Sequence, residues 1–144
     1  MIDRTKPFWT GDCAEDIGEY LRAYTEDEHL ETVPVLCHSC GKDAFLVYID
    51  RNEDVIQVEC ACCGTKKYLW DSEEYSDHAE PHLLKCPICG GGRKFQVRAG
   101  FQRREDGSLR WVYIGNRCMD CKTLGSCMDW KINYEPTDQM EQNL

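Results

Sequence analysis

Apolar positions recur along this chain with two different periods. Ile17, Tyr20, Leu21 and Tyr24 follow the i, i+3, i+4, i+7 spacing of one helix face, with acids on the opposite face. Asp12 suits the N-cap position, so the spacing predicts an amphipathic helix from near Asp12 to Thr25. Phe8 and Trp9, just upstream, are placed to staple the first turn or to pack on the body of the protein. From Val35 the period becomes two. Phe45, Val47 and Ile49 alternate with polar residues, the turn Arg51-Asn52-Glu53-Asp54 follows, and Val55 to Glu59 reads as a return strand.

The plan then repeats. Phe95, Val97, Ala99 and Phe101 alternate, Glu105-Asp106-Gly107-Ser108 turns, and Leu109 to Ile114 returns. Asp-Gly is a strong hairpin dipeptide. Taking Asp106-Gly107 as a two-residue turn sets Phe101 opposite Val112 and Ala99 opposite Ile114. One face then carries Phe95, Val97, Ala99, Phe101, Val112 and Ile114, a core face. The other carries Lys94, Gln96, Arg98, Gln102, Trp111 and Tyr113. Met128 to Tyr134 supplies one more strand, and Asp71 to His82 a polar linker with a short helix before Pro81. The pattern divides the chain into an acidic helical segment (1–33), a first unit (34–70), an acidic linker (71–82), a second unit (83–134) and a disordered tail (135–144). The fold class is small α+β, with two β-rich units preceded by a short helix.

Composition sharpens what could hold so small a core. Apolar residues make up 42% of the 144 positions, 30% are charged and 11 are cysteine. Domains of this size often need disulfides or metal to offset chain entropy. The N-terminal residues have charge and no apolar run, so they do not read as a secretory signal. No stretch approaches the roughly 20 apolar residues of a membrane span. The expected compartment is therefore the cytoplasm, where paired cysteines more often bind metal than each other.

Eight of the cysteines form four Cys-x-x-Cys pairs: Cys37/Cys40, Cys60/Cys63, Cys86/Cys89 and Cys118/Cys121. Two such turns close a tetrahedron around one ion at Zn–S of about 2.3 Å. Glycine follows three of the pairs, at Gly41, Gly64 and Gly90, where a left-handed backbone turns amides toward the thiolates. The same rule selects Cys60 and Cys63 and sets Cys62 aside. The pairs enclose gaps of 19 and 28 residues, each suited to a hairpin. Sequential grouping gives two zinc sites; interleaved grouping, as in cross-brace folds, calls for a helix or loop in each gap.

Cys-x-x-Cys-Gly, hairpin, Cys-x-x-Cys resembles the zinc-ribbon superfamily, over Val35 to Trp70 and Leu83 to Trp130. The resemblance implies two zinc-held sheets of three strands. The last knuckle departs from it, with Lys122 in the glycine position. Cys13, Cys62 and Cys127 have no assigned role, and His29, His38, His78 and His82 no consistent partner.

Four thiolates leave no open coordination position, so the zinc ions are expected to be structural, and the chain is expected not to be an enzyme. The formal charge is −9, and eight thiolates with two zinc ions take it to about −13. The charge is uneven. Acids dominate residues 1–33 and 71–80, whereas residues 93–117 are basic. The leading expectation is a protein–protein interaction module, of which an inhibitor or immunity-type protein is one form. The alternative is a nucleic-acid-binding or transcription-associated ribbon that uses Lys94, Arg98, Gln102, Trp111 and Tyr113, since bases stack on aromatics and phosphates meet cations. Neutralisation of that basic face by the chain's own acidic helix is the competing expectation. No membrane and no small-molecule substrate are expected.

Overall fold

The computed structural model describes residues 2–133 and 137–144. After a helix α1 (Glu15–Thr25) come strands β1 (Glu31–Pro34), β2 (Phe45–Asp50), β3 (Val55–Cys60) and β4 (Lys66–Tyr68). A 3₁₀ helix (Ser72–His78) leads to β5 (His82–Leu83), β6 (Phe95–Arg103), β7 (Leu109–Cys118), β8 (Leu124–Lys131) and a short helix α2 (Asp138–Gln142). All strands pair antiparallel in one sheet, ordered β4-β3-β2-β6-β7-β8, with β1 against β6 and β5 against β2. The expected last strand starts earlier, at Leu124, and its expected end at Tyr134 lies outside the described residues.

The two hairpins meet at one bridge, Phe45↔Phe95. These phenylalanines hold equivalent places in the repeat, and each pairs on its other side with the third cysteine of its own unit: Phe45↔Cys60 and Phe95↔Cys118. The same two-fold relation governs the segments that lead into the units. β1, which precedes Cys37, pairs with β6 of the second hairpin, and the Val35 amide donates to Val97 O at 3.1 Å. β5, which precedes Cys86, pairs with β2 of the first hairpin, and the Leu84 amide donates to Val47 O at 2.7 Å. Each unit thus lends its lead-in strand to the other.

The second hairpin keeps the expected register, Phe101↔Val112 and Ala99↔Ile114, but reaches it by a different turn. The Gly107 amide bonds Arg104 O and the Arg104 amide bonds Ser108 O, so the loop is Glu105-Asp106-Gly107, with Gly107 at φ 90°. A three-residue loop shifts the pairing by one, giving Arg103↔Leu109. A bulge at Arg110 restores it at Gln102↔Trp111. A second bulge, at Cys127, lies between the Ile114↔Met128 and Gly115↔Ser126 pairs.

All six residues of the expected core face are buried. They join Val47, Ile56, Val58, Trp70 and Trp130 in a core that both hairpins share. On the opposite face of β6–β8, Ile17 and Leu21 of α1 pack with Leu30 and Leu124. Gly115 makes room for them: a β-carbon there would stand 2.5 Å from Ile17 Cγ2. The helix begins at Glu15 rather than Asp12. Asp16 reaches back to the Asp12 and Cys13 amides at 2.8 and 3.3 Å, supplying the carboxylate expected of Asp12. Trp9 packs edge-on against Tyr20, with ring centroids 5.8 Å apart.

The described part of the expected disordered tail is ordered. Met140 is buried, Asn143 donates to Trp70 O at 2.8 Å, and Glu141 pairs with Arg103 at 2.6 Å. One methionine anchoring a single helical turn was too weak a pattern to read; residues 135 and 136 of that tail lie outside the described residues. Among the described residues no helix is long and apolar enough to cross a membrane.

Candidate metal centres

Each Cys-x-x-Cys pair folds as a turn closed by two backbone hydrogen bonds. The carbonyl of the first cysteine accepts from the residue four positions on: Cys37 from Gly41, Cys60 from Gly64, Cys86 from Gly90 and Cys118 from Lys122, at 2.8–2.9 Å. Its amide donates to Lys42, Thr65, Gly92 or Thr123 O at 2.8–2.9 Å. The residue after the second cysteine takes a left-handed backbone in all four: Gly41 φ 76°, Gly64 φ 79°, Gly90 φ 74° and Lys122 φ 67°. The fourth knuckle therefore has the geometry of the others, with a lysine holding the glycine conformation.

The third knuckle carries one extra residue, and this makes Gly92 sterically obligatory. A β-carbon on Gly92 would meet Cys118 Sγ at 2.4 Å and Cys89 Sγ at 3.2 Å. Its amide points at Cys89 Sγ, 3.3 Å away.

The turns bring the eight sulfurs together in two groups of four, Cys37/Cys40/Cys60/Cys63 and Cys86/Cys89/Cys118/Cys121, with all ligand atoms of a group within 4.8 Å of one another. The grouping is sequential, not interleaved. Sulfurs of one pair approach those of the other at 3.5 Å for Cys37–Cys63 and Cys40–Cys60, 3.6 Å for Cys86–Cys121 and 3.9 Å for Cys89–Cys118. A tetrahedron with Zn–S of 2.3 Å has edges of about 3.8 Å, so the donor set fits zinc. In each group the first and third cysteines are buried, whereas Cys40, Cys63 and Cys89 are exposed and Cys121 half-buried. A metal there would tie the sheet's interior to its surface turns.

The local field prepares thiolates unevenly. Amide N–H groups of Cys40 and then Ser39 lower the Cys37 thiol to about 6. Burial pushes Cys118 up to about 12, while at Cys121 burial is outweighed by the Thr123 hydroxyl and amide, which hold it at about 7. A bound dication would stabilise all four thiolates of a group.

Two supporting threonines escaped the sequence reading. Thr65 Oγ1 lies 3.2 Å from Cys63 Sγ, and Thr123 Oγ1 lies 3.0 Å from Cys121 Sγ. Their signal was present: in both units threonine stands two residues after the last cysteine. Of the unassigned cysteines, Cys13 and Cys62 are exposed and Cys127 is buried. The histidines contribute to neither group; His38 Nε2 bonds Leu144 O at 2.7 Å.

The face formed by Arg98, Gln102, Trp111 and Tyr113 is half-buried. α1 lies across it. Arg98 Nε donates to Thr32 Oγ1 at 2.9 Å close to Gly18 of α1, and burial draws its pKa down. Gln102 donates to Asp27 at 3.3 Å, and Trp111 Nε1 to Asp129 at 3.2 Å. Tyr113 packs on the cluster beneath α1. Lys94 alone of the five is exposed. Gly100 and Gly115 explain why: without side chains at those sites, the sheet accepts a helix. Comparison with protein-family models, curated proteins and solved structures returned no match for this chain.

Proposed function

We propose that this chain is a tandem zinc-ribbon protein holding two structural zinc ions, and that it acts in the cytoplasm as a protein–protein interaction module without catalytic activity. The observation that carries the metal reading is the pair of four-sulfur groups at tetrahedral spacing. Four sulfurs fill a zinc shell and leave no position for water or substrate, which favours a binding role over chemistry. All eleven cysteines are unbridged, in keeping with a reducing compartment.

The interaction reading draws support from the knuckles themselves. Three large apolar side chains stand exposed beside the ligands: Leu36 before Cys37, Ile88 between Cys86 and Cys89, and Met119 between Cys118 and Cys121. Burying such groups against a partner would be favourable by about 1.5–3 kcal/mol each. Nucleic-acid binding is the less favoured reading, since four of the five residues it would use are half-buried.

Metal analysis should return two zinc ions per chain, and chelation should unfold the protein. Capture of a partner should be lost in the Ile88→Glu/Met119→Glu double variant at unchanged zinc content. Equal capture by that variant would remove the knuckles as the docking surface. No binding to single-stranded DNA or RNA at low salt is expected, and salt-sensitive binding would reverse the assignment.

A further inference from the structure

β8 is an outermost strand of the sheet, and part of its free edge is closed. The Leu124 amide donates to Trp9 O at 2.8 Å, and Cys127 O accepts from Arg51 Nη2 at 3.2 Å. Beyond Cys127 the edge is open. The Ile132 amide donates to Arg110 O at 2.9 Å, which fixes the phase of the β7–β8 ladder. Bonded and non-bonded pairs alternate in an antiparallel ladder, so Trp130 and Met128 bond β7, whereas Asp129 and Lys131 turn N–H and C=O outward. These outward groups have no hydrogen-bond partner among the described residues.

Such an edge accepts an extended chain by strand addition. An entering residue opposite Trp130 would direct its side chain to the same face as Trp130, the core side, because Trp130 pairs with Val112. There a cleft of about 270 Å³ lies between β8, the β2–β3 turn and the 3₁₀ helix, lined by Glu53, Asp54, Asp71, Tyr75 and Trp130. It is smaller than the roughly 300–1,000 Å³ pockets that take drug-sized ligands, and suits one long side chain.

The cleft selects a cation. Lys131 also lines it, but pairing with Trp111 turns the Lys131 side chain to the α1 face, where Asp129 offsets it. Arg51 does not line this cleft, and neither Glu53 nor Asp54 forms an ion pair. Burial, followed by the Asp71, Asp129, Asp50 and Glu53 carboxylates, raises the Asp54 carboxyl above its ordinary range. A cation placed among these acids relieves their repulsion.

Trp130 is an independent sign of a guest. It is 7% exposed, lines the cleft, and holds its Nε1 buried without a hydrogen-bond partner among the described residues. An indole N–H needs an acceptor, which a peptide backbone brings, and the indole ring attracts a cation.

We propose that the β8 edge binds an extended segment of a partner protein by strand addition, with a lysine or arginine of that segment entering the cleft beside Trp130. A second copy of this chain does not suit the edge. Two β8 edges set together would oppose the same acids in chains of formal charge −9. The inference rests on the interaction reading above, but it uses none of the knuckle residues.

The test is an amide NMR titration of the isotope-labelled, zinc-loaded full chain with N-acetylated, C-amidated Thr-Val-Arg-Val-Thr. Saturable shifts and slowed hydrogen exchange are expected at the Asp129 and Lys131 amides. Glutamine in place of the central arginine should weaken binding at least about tenfold, the worth of a charge-assisted hydrogen bond. N-methylation of both valines removes the donors that face β8 and should weaken binding about fivefold or more. Glu53→Gln/Asp54→Asn should bring the arginine and glutamine peptides to equal affinity. Lys131→Pro deletes an outward amide, spares the β7 ladder and should weaken the arginine peptide; if that variant fails to fold, the methylated peptide carries the same test. No saturable shift up to about 5 mM, equal affinity of the arginine and glutamine peptides, or indifference to N-methylation overturns the proposal. Self-association of the native chain that Lys131→Pro abolishes also overturns it. Ile88→Glu/Met119→Glu should leave peptide binding unchanged. Partner capture that depends on those two residues, with no peptide binding, overturns the β8 site and leaves the interaction reading standing.

Discussion

Phe45 and Phe95 face each other across the single bridge between the two hairpins, and each pairs on its far side with the third cysteine of its own centre. A continuous backbone path therefore runs from Cys60 through Phe45 and Phe95 to Cys118. The exchange of β1 and β5 between the units adds a second and a third connection. Two four-cysteine groups joined this way are not structurally separate.

The first prediction concerns that coupling. Cys118→Ser removes a buried ligand of the second centre, and zinc binding of this kind contributes on the order of 10 kcal/mol to folding. Because β5 and β6 belong to the second unit yet pair with β2, the loss should reach the first centre. The variant is expected to retain less than one zinc per chain by elemental analysis. The native protein should release both ions in one cooperative step on chelator titration. Retention of one full zinc, or two separated release steps, would show the centres to be independent.

How much of this was legible beforehand follows from the range of each determinant. The cysteine turns are local: Cys-x-x-Cys-Gly states the ligands, the left-handed residue and the turn within five positions. The hairpins β2–β3 and β6–β7 are nearly as local, and their alternation gave the buried face correctly. The exchanged strands were illegible because Glu31-Thr32-Val33-Pro34 and His82-Leu83 have no alternating pattern; they become strands only through the partner's edge. Two expectations for the basic face stayed open in the sequence, an exposed platform and cover by the chain's own acidic helix, for a related reason. Nothing near Arg98 or Trp111 announces a helix, and the deciding residues, Gly100 and Gly115, register as spaces that Ile17 and Leu21 fill. The bulges at Arg110 and Cys127 likewise arise from pairing geometry and not from their own residue types.

Those spaces give the second prediction. Gly115→Ala would place a β-carbon 2.5 Å from Ile17 Cγ2 and 3.0 Å from Leu21. Overpacking of this kind costs about 1–3 kcal/mol, and here it falls on the α1 contact while leaving the cysteines untouched. Hydrogen exchange should accelerate across Glu15–Thr25, with zinc content unchanged at two. Unaltered protection of α1 would show that the helix does not depend on close approach at Gly115.

Thiol accessibility supplies the third. In the zinc-loaded protein, Cys13 and Cys62 remain as exposed thiols and should alkylate rapidly. Cys127 should not: burial pushes its thiol up to about 12, and only the thiolate is a good nucleophile. Its folded-state pKa lies above the ordinary value, so Cys127 stays protonated when the pH is raised to 9. Mass spectrometry should find two adducts at pH 7 and at pH 9, with Cys127 and the eight ligand cysteines modified only after unfolding. A third adduct on the zinc-loaded protein at pH 9 would place Cys127 within reach of solvent.

The last prediction separates two glycine-related positions that play opposite roles in the second centre. At Lys122 the backbone is left-handed, φ 67°, in a residue with a side chain. Lys122→Gly removes strain of about 1 kcal/mol and should raise the melting temperature of the zinc form by about 3–5 °C. At Gly92 the constraint is space, not φ. Gly92→Ala drives a methyl group to 2.4 Å from Cys118 Sγ, closer than any packed carbon and sulfur can stand. The knuckle must open to accommodate it, and the second centre should bind zinc at least about tenfold more weakly in a competition titration with a chromophoric chelator. The pair is diagnostic because the two positions flank one metal centre. If Lys122→Gly and Gly92→Ala shift stability in the same direction, the second centre does not have the geometry described.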